Sequence, residues 1–249
     1  MSIFSIFSRS SEPVRLPFRT DIHCHIVPGV DDGSPDAETS ADLVERMQGW
    51  GIERIIATPH VTETTFPNTP DILDPALEEL QQELTRRGNT IPVTRASENR
   101  IDEFFVHALA KGLITLMPNN HILVENSFIQ EPWQLDQFLY DLRIKGMTTI
   151  LAHPERYHYY YSDSLSRYET LHRAGTLFQI NVLSLAGYYG KTEKKIAEKL
   201  IERGMVDFLG TDLHNHNHAD AIDRYLTTSS ARRHFEALAP RLRNDSAFL

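Results

Sequence analysis

Seven short apolar runs rich in β-branched residues recur along the chain, and each stops at a polar side chain. Residues 20–25 end in His23-Cys24-His25, residues 52–57 lead into Thr58-Pro59-His60, and residues 91–96 run to Glu98. Residues 121–124 meet Glu125, residues 148–152 meet His153, residues 177–180 meet Asn181, and residues 206–210 run to Asp212. Runs this short and this apolar read as strands buried on both faces. The polar ends follow one another at roughly 30-residue intervals, the length of one βαβ step.

Between the runs the apolar spacing changes to that of a helix. Ser34-Pro35 caps a stretch with Ala37, Ala41, Val44 and Met47 on one face, stopped by the glycines around Trp50. Thr69-Pro70 opens a second stretch with Leu73, Leu77, Leu80 and Leu84 before Gly88. Leu135, Phe138, Leu139 and Leu142 precede Gly146, Leu165, Tyr168 and Leu171 precede Gly175, and Ile196 and Leu200 precede Gly204. Strands alternating with helices imply an α/β fold with a parallel sheet and helices outside it. About seven such units imply a closed or nearly closed barrel. In such a barrel the chemistry sits at the carboxyl ends of the strands, so the polar ends face one another across one mouth.

Composition narrows the class. At 249 residues the chain suits one large domain, here residues 19–249, and 41% hydrophobic with 24% charged residues is ordinary for a soluble globular protein. Residues 1–18 hold a short Ile/Phe alternation without a long apolar region or a small-residue cleavage site, and read as an N-terminal tail. Phe4 and Phe7 would allow it a weak membrane or partner contact. No stretch approaches the ~18 apolar residues that span a bilayer, so no stable membrane insertion is expected. A net charge of −9 argues against nucleic acid as partner. One cysteine excludes an internal disulfide framework and a cysteine-cluster metal site, and fits a reducing, cytoplasmic location. Twelve histidines stand out, because histidine is the commonest metal ligand.

His23 and His25, spaced i and i+2 on a strand, project to one face, with Cys24 turned into the packing behind them. His60, His153 and His214 add nitrogens, and Asp32, Glu98, Glu125 and Asp212 add carboxylates. Nine N/O donors exceed the needs of one divalent ion and suit a cluster of two or three, with Mn, Fe or Mg as plausible as Zn. Burying these groups together without metal would be very costly. His107, His121, His172 and His234 read as surface or capped core histidines, and the His214–His218 run could be a solvated loop. Amidohydrolase-type barrels also open with His-x-His, but they bridge their metals with a middle-strand lysine; here those strand ends carry Glu98 and Glu125.

The segments DIHCHIVPGVDDG, ATPHVT, SEN, VENSF, LAHPERY and GTDLHN, in this order, resemble the PHP (polymerase and histidinol phosphatase) superfamily. VDDG, AHPERY and NVLSLAGYYG resemble its bacterial capsule and exopolysaccharide protein-tyrosine phosphatases, the CpsB/YwqE-like branch. The resemblance implies a distorted seven-stranded (β/α)7 barrel with two or three divalent ions, Mn foremost. His23, His25, Glu98 and Asp212 would hold one ion. Glu98 would bridge to a second on Glu125 and His153, and Asp32, His60 and His214 would hold the third. Asp32 is preferred to Asp31 as the second Asp of VDDG. Arg156 would bind phosphate, Arg156, Asp212 and His60 would carry catalysis, and the substrate would be a phosphotyrosine protein, such as the tail of a bacterial tyrosine kinase. The family has Ala-Glu-Tyr where this chain reads Ser97-Glu98-Asn99-Arg100, which leaves open an altered pocket, extra phosphate binding by Arg100, or reduced activity.

In the mechanism this suggests, clustered metals lower the pKa of water for in-line attack, and a phenolate leaves without a strong general acid. Two alternatives remain at this level: a small-molecule phosphatase of the histidinol-phosphate kind, and a weakly active, metal-stabilised module that regulates a polysaccharide-assembly kinase by binding it. Residues 62–68 and the tyrosines of 157–161 either wall an aryl-phosphate site or simply pack its loops.

Overall fold

A computed structural model describes residues 12–161 and 164–248. Within it the seven apolar runs fold into nine short strands. The second and third runs are each interrupted, at Thr58-Pro59 and Ala96-Ser97. Proline has no N–H to give a ladder, which explains the first break. The strands are β1 (Thr20–Asp21), β2 (Arg54–Ala57), β3 (His60–Val61), β4 (Val93–Arg95), β5 (Glu98–Arg100), β6 (His121–Glu125), β7 (Thr148–Ala152), β8 (Leu177–Asn181) and β9 (Phe208–Gly210). They form a sheet β1-β2-β4 and a sheet β3-β5-β6-β7-β8-β9, and every pairing is parallel. The expected alternation of parallel strand and helix is thus present, divided between two sheets.

The first and last strands meet just beyond their ends. Cys24 and Leu213 form a parallel bridge, where Asp212 N–H donates to His23 O at 2.8 Å and His25 N–H to Leu213 O at 2.9 Å. Nearer the strand starts, Asn244 fills the same seam. Its amide donates to Thr20 O at 3.0 Å and Leu209 O at 2.7 Å, and its carbonyl accepts from Leu209 N–H at 3.1 Å. A buried side chain there replaces the missing ladder, as paired buried backbone requires.

The helices are α1 (Ala37–Gly49), α2 (Pro70–Arg86), α3 (Glu103–Ala110), α4 (Leu135–Ile144), α5 (Ser166–Arg173), α6 (Val182–Ala186), α7 (Lys191–Glu202), α8 (His216–Leu226) and α9 (Ser229–Leu238). The N-cap of α1 is Asp36, not the expected Ser34-Pro35, because the Asp36 carboxylate accepts from Thr39 N–H; α2 starts at Thr69-Pro70 as expected. Periodicity does not reveal α3, α6, α8 or α9. Helix α3 buries only Phe105 and Ala108, too few positions to define a period, and α6 buries four residues in succession. The buried faces of α8 and α9 lean on alanines and, in α9, a histidine.

Strand alternation divides the core. Leu123, Ile150, Ala152 and Phe208 join Ile22, Ile56 and Phe248 in a small interior cluster, while Val124, Leu151, Phe178 and Leu209 pack in the larger cluster that includes the helices' apolar residues. The boundary drawn at residue 19 moves toward the N-terminus. Val14 N–H donates to Leu226 O, Leu16 N–H to Trp50 O, and Leu16 and Phe18 are buried in the core. The part of the tail with Phe4 and Phe7 lies outside the described residues.

Asn244→Ala strands buried backbone groups of β1 and β9 and should cost about 2–4 kcal/mol. A thermal melt should fall by about 5–12 °C for a domain of this size. A change under about 2 °C would show that the seam does not depend on this side chain.

Candidate metal centre

The carboxyl ends of the strands gather the nine N/O side chains into one cluster; seven of them line a cavity of about 450 Å³, and His23 and His25 lie fully buried behind it. Glu98, at the start of β5, is their centre. Its Oε1 lies 2.8 Å from His153 Nε2, and its Oε2 lies 3.1 Å from His60 Nδ1, 3.3 Å from His23 Nε2 and 3.4 Å from His25 Nε2. Asp212 Oδ1 is 3.4 Å from both His23 and His25 and 3.5 Å from His214. Glu125, ending β6, lies 3.7 Å from His60 and 3.9 Å from His153. Asp32, the most exposed of the set, reaches His60 Nε2 at 3.5 Å and His214 Nε2 at 3.6 Å. His60 therefore stands between two subclusters, one ring nitrogen toward each.

Hydrogen bonds behind the cluster fix which imidazole nitrogen faces inward. His23 Nδ1 bonds Gln179 Oε1 at 2.7 Å, so its proton sits there and Nε2 turns to the carboxylates. Gln179 then donates to Asn181 Oδ1, and Asn181 donates to Asp212 Oδ2 at 2.6 Å. His25 Nδ1 rests on Asp31 Oδ2 at 2.8 Å, and the same carboxylate accepts the His60 and Gly33 backbone N–H groups. His214 Nδ1 bonds the Asp212 carbonyl at 2.8 Å. The two acids of VDDG thus divide the work: Asp32 faces the cavity and Asp31 orients His25. His153 and Asp212 both have positive φ, 34° and 50°, a backbone state uncommon outside glycine and often found where a site dictates geometry.

The protonation pattern reports the crowding. Burial would lower His23, yet Glu98 and Asp212 outweigh it and raise its pKa to about 9. Burial would raise Asp31, but the charge and hydrogen bond of His25 hold it down to about 2. Burial and the neighbouring Glu98 carry Glu125 up to about 7. Burial and nearby positive charge depress His153, beside Arg156, and His214, beside His25, to about 4 each. His60 Nδ1, Glu98 Oε2 and Glu125 Oε2 are buried without a hydrogen-bond partner, an expensive state for groups aimed at one another. Among the described residues four sets of donors lie close enough to share an ion: His23, His25 and Asp212; His23, Glu98 and His153; His60, Glu98 and Glu125; and His25, Asp32, His60 and His214.

Arg156 stands at the cavity wall with its guanidinium between the rings of Tyr189, 4.0 Å away, and Phe128, 4.9 Å away. Its Nη1 donates to Asp212 Oδ2 at 3.0 Å, an oxygen that also accepts from the Tyr189 hydroxyl at 3.1 Å. Arg100 lines the cavity too and bonds Glu125 Oε1 from Nε and Nη2. Asn99, on the opposite face of β5, donates to Ser97 O and Leu123 O, so it seals the strand and does not shape the cavity.

Of residues 62–68, Thr62, Thr65 and Phe66 line the cavity, and Phe66 stacks on His60. The tyrosines of 157–161 do not line it. The buried Tyr157 ties the Ala152 carbonyl to the Asn126 N–H, and Tyr161 bonds the Glu155 carbonyl. Within the His214–His218 run, His214 joins the cluster, His216 begins α8, and His218 reaches the cavity. His107, His121, His172 and His234 stay outside it. Residue-level reading missed Phe128, Gln179, Tyr189 and His218. Phe128 and Tyr189 sit within the VENSF and NVLSLAGYYG segments, but aromatic residues in such loops usually only pack.

The family model for capsular polysaccharide synthesis proteins CpsB/CapC matches residues 19–229. The chain is similar to tyrosine-protein phosphatase YwqE of Bacillus subtilis, 34% identical over 196 residues, covering 78% of this chain and 77% of the relative. Tyrosine-protein phosphatase CpsB of Streptococcus agalactiae is 28% identical over 202 residues, 78% of this chain and 82% of the relative. The fold is similar to a solved structure from work on Bacillus subtilis YwqE and Streptococcus pneumoniae CpsB, described as metal-dependent tyrosine phosphatases. The TM-score is 0.73 at 31% identity, over 91% of this chain and 95% of that one. With most of its length matched in sequence and in fold, the chain belongs to the CpsB/CapC family of capsular polysaccharide synthesis proteins.

Proposed function

We propose that this chain is a metal-dependent protein-tyrosine phosphatase acting on a phosphotyrosine protein, such as a bacterial tyrosine kinase of capsule or exopolysaccharide synthesis, in the cytoplasm. The observation that carries the reading is the convergence of nine ligand-type side chains in one cluster, seven of them lining a cavity whose wall holds Arg156. The family names of YwqE and CpsB support it. In this reading the two sheets together make the seven positions of a distorted (β/α)7 barrel, with the interrupted runs counted once each.

The donor set fits two or three divalent ions, Mn foremost. His23, His25, Glu98 and Asp212 would hold one. Glu98, Glu125 and His153 would hold a second, with His60 Nδ1 within reach, and Asp32, His60 and His214 a third. Bound ions would supply Lewis acidity for the phosphate and a lowered pKa for water.

The chain's own residues supply the rest. Gln179, Asp31 and the Asp212 carbonyl face the outer nitrogens of His23, His25 and His214, which leaves the inner nitrogens as the ones that would release a proton and hold an ion. Arg156 offers a planar fork that matches two phosphate oxygens, and Asp212 with the two flanking rings fixes its plane. Arg100 adds positive charge at the same wall. Phe66, Phe128 and Tyr189 give the cavity aromatic sides suited to a phenyl ring. A phenolate leaving group, with a pKa near ~10, places little demand on a general acid.

With Mn supplied, His23→Ala should reduce hydrolysis of an aryl phosphate by at least about a hundredfold through loss of a ligand. Cys24→Ser should keep aryl phosphate turnover within about threefold, because Cys24 points away from the cavity and lines none of it. A cysteine-dependent, metal-independent activity would overturn the reading.

Arg156→Lys keeps the charge but loses the fork, and should lower kcat/KM for a phosphotyrosine peptide by about a hundredfold at unchanged metal content. An effect under threefold, or faster turnover of histidinol phosphate than of the peptide by the unaltered protein, would favour a small-molecule phosphatase.

A further inference from the structure

Beside the metal cavity lies a second, more apolar depression of about 810 Å³, between the start of α3 and the loop from β6 to α4. The two hollows share their dividing walls. On one, Arg100 faces the metal cavity while Ile101 and Asp102 face the second hollow. On the other, Phe128 lines the metal cavity, and its neighbours Ser127 and Ile129 line the second hollow. Ile129 and Trp133 are each 89% exposed, and Val106 is half exposed beside them. Side chains of this size are seldom left so bare together without a contact to make, and tryptophan is the residue most enriched at binding hot spots. Among the described residues this is the strongest cluster of unpartnered apolar side chains that adjoins the cavity.

We infer that this hollow receives the residues flanking the phosphotyrosine of the protein substrate, and that it selects large apolar side chains there. The inference rests on the phosphatase reading. A phosphotyrosine whose phosphate meets Arg156 is covalently tied to neighbours that reach only about 3.5 Å per residue. Because Ile129 follows Phe128 and Ile101 follows Arg100 in the chain, an extended peptide that leaves the cavity over either wall would enter the second hollow. The rim supplies the opposing half of the selection. Glu103 is exposed there, and the Asp102 carboxylate is held in place by the Phe105 and Glu63 N–H groups. Aspartate or glutamate beside the phosphotyrosine would face these carboxylates, whereas leucine or an aromatic residue would bury against the tryptophan.

The test compares three substrates of the Mn-loaded full chain: an aryl phosphate, a phosphotyrosine peptide with leucines on both sides, and a peptide of equal length with aspartates there. The leucine peptide should exceed the aspartate peptide about tenfold in kcat/KM, chiefly through KM. In the double variant Ile129→Ala, Trp133→Ala that preference should fall to about twofold or less, with aryl phosphate turnover unchanged. Both side chains are exposed, so folding should not be at stake. Equal preference in the variant and the unaltered protein would overturn the inference. So would a dimer that the same substitutions dissociate without changing peptide turnover, since the hollow would then take a second copy of this chain. Failure of every substrate, the aryl phosphate included, would instead count against the phosphatase reading. Trp133 fluorescence then decides the docking inference alone, because the other tryptophan, Trp50, is buried. A saturable change with the leucine peptide supports it, and no change overturns it.

Discussion

A carboxylate surrounded by imidazoles governs this structure. Glu98 is fully buried and has four histidine nitrogens within 3.4 Å, from side chains contributed by three separate stretches of chain. Such a centre is stable only if its charges are balanced in place, because burial of unpaired ionisable groups is among the most costly states a fold can hold. Protons supply part of that balance at His23, where two carboxylates outweigh the cost of burial. They cannot supply all of it, since Glu98 Oε2 and Glu125 Oε2 still lack hydrogen-bond partners. Divalent cations satisfy several such oxygens and nitrogens at once, which protons on single atoms cannot do.

The rest of the fold serves that centre. Parallel strands bring their carboxyl ends to one mouth, and the alternation within each strand puts Glu98 and Arg100 on the cavity side of β5 and Asn99 behind it. Closure at the seam between β1 and β9 sets the spacing of His23 and His25 against Asp212, through direct backbone bonds between these very segments. Asn244 secures the seam from the other end. The relay from His23 through Gln179 and Asn181 reaches the Asp212 oxygen that also receives Arg156, so the proposed metal ligands and the proposed phosphate-binding arginine share one hydrogen-bonded frame.

Much of this was legible in the sequence, for a physical reason. Strands buried on both faces must be apolar throughout, so a polar residue ending each run stands out against them, and His23, Glu98, Glu125, His153 and Asp212 were all visible in this way. The helices that carry a broad apolar stripe, such as α2, were equally plain. What escaped depends on tertiary geometry. The interruption after Ala57 turns one expected strand into β2 and β3, and the second one after Arg95 does the same for β4 and β5. Gln179 looks like any strand residue until its partner His23 comes from the other end of the chain. Phe128 and Tyr189 are aromatic residues of ordinary kind until they bracket Arg156. The positive φ of His153 and Asp212 leaves no compositional trace, since neither is glycine. The packing of Leu16 and Phe18 was hidden because a short apolar pair before the first strand resembles the tail it follows.

The central claim is that the buried centre exists to hold a cluster of divalent ions through Glu98. Elemental analysis of the purified chain and of Glu98→Gln, each incubated with Mn and freed of excess, tests this directly. The account predicts about two to three ions per unaltered chain and at most about one in the variant, because the amide removes the charge and the second coordinating oxygen shared between ions. Fewer than about half an ion per unaltered chain, or equal loading of both proteins, would contradict it.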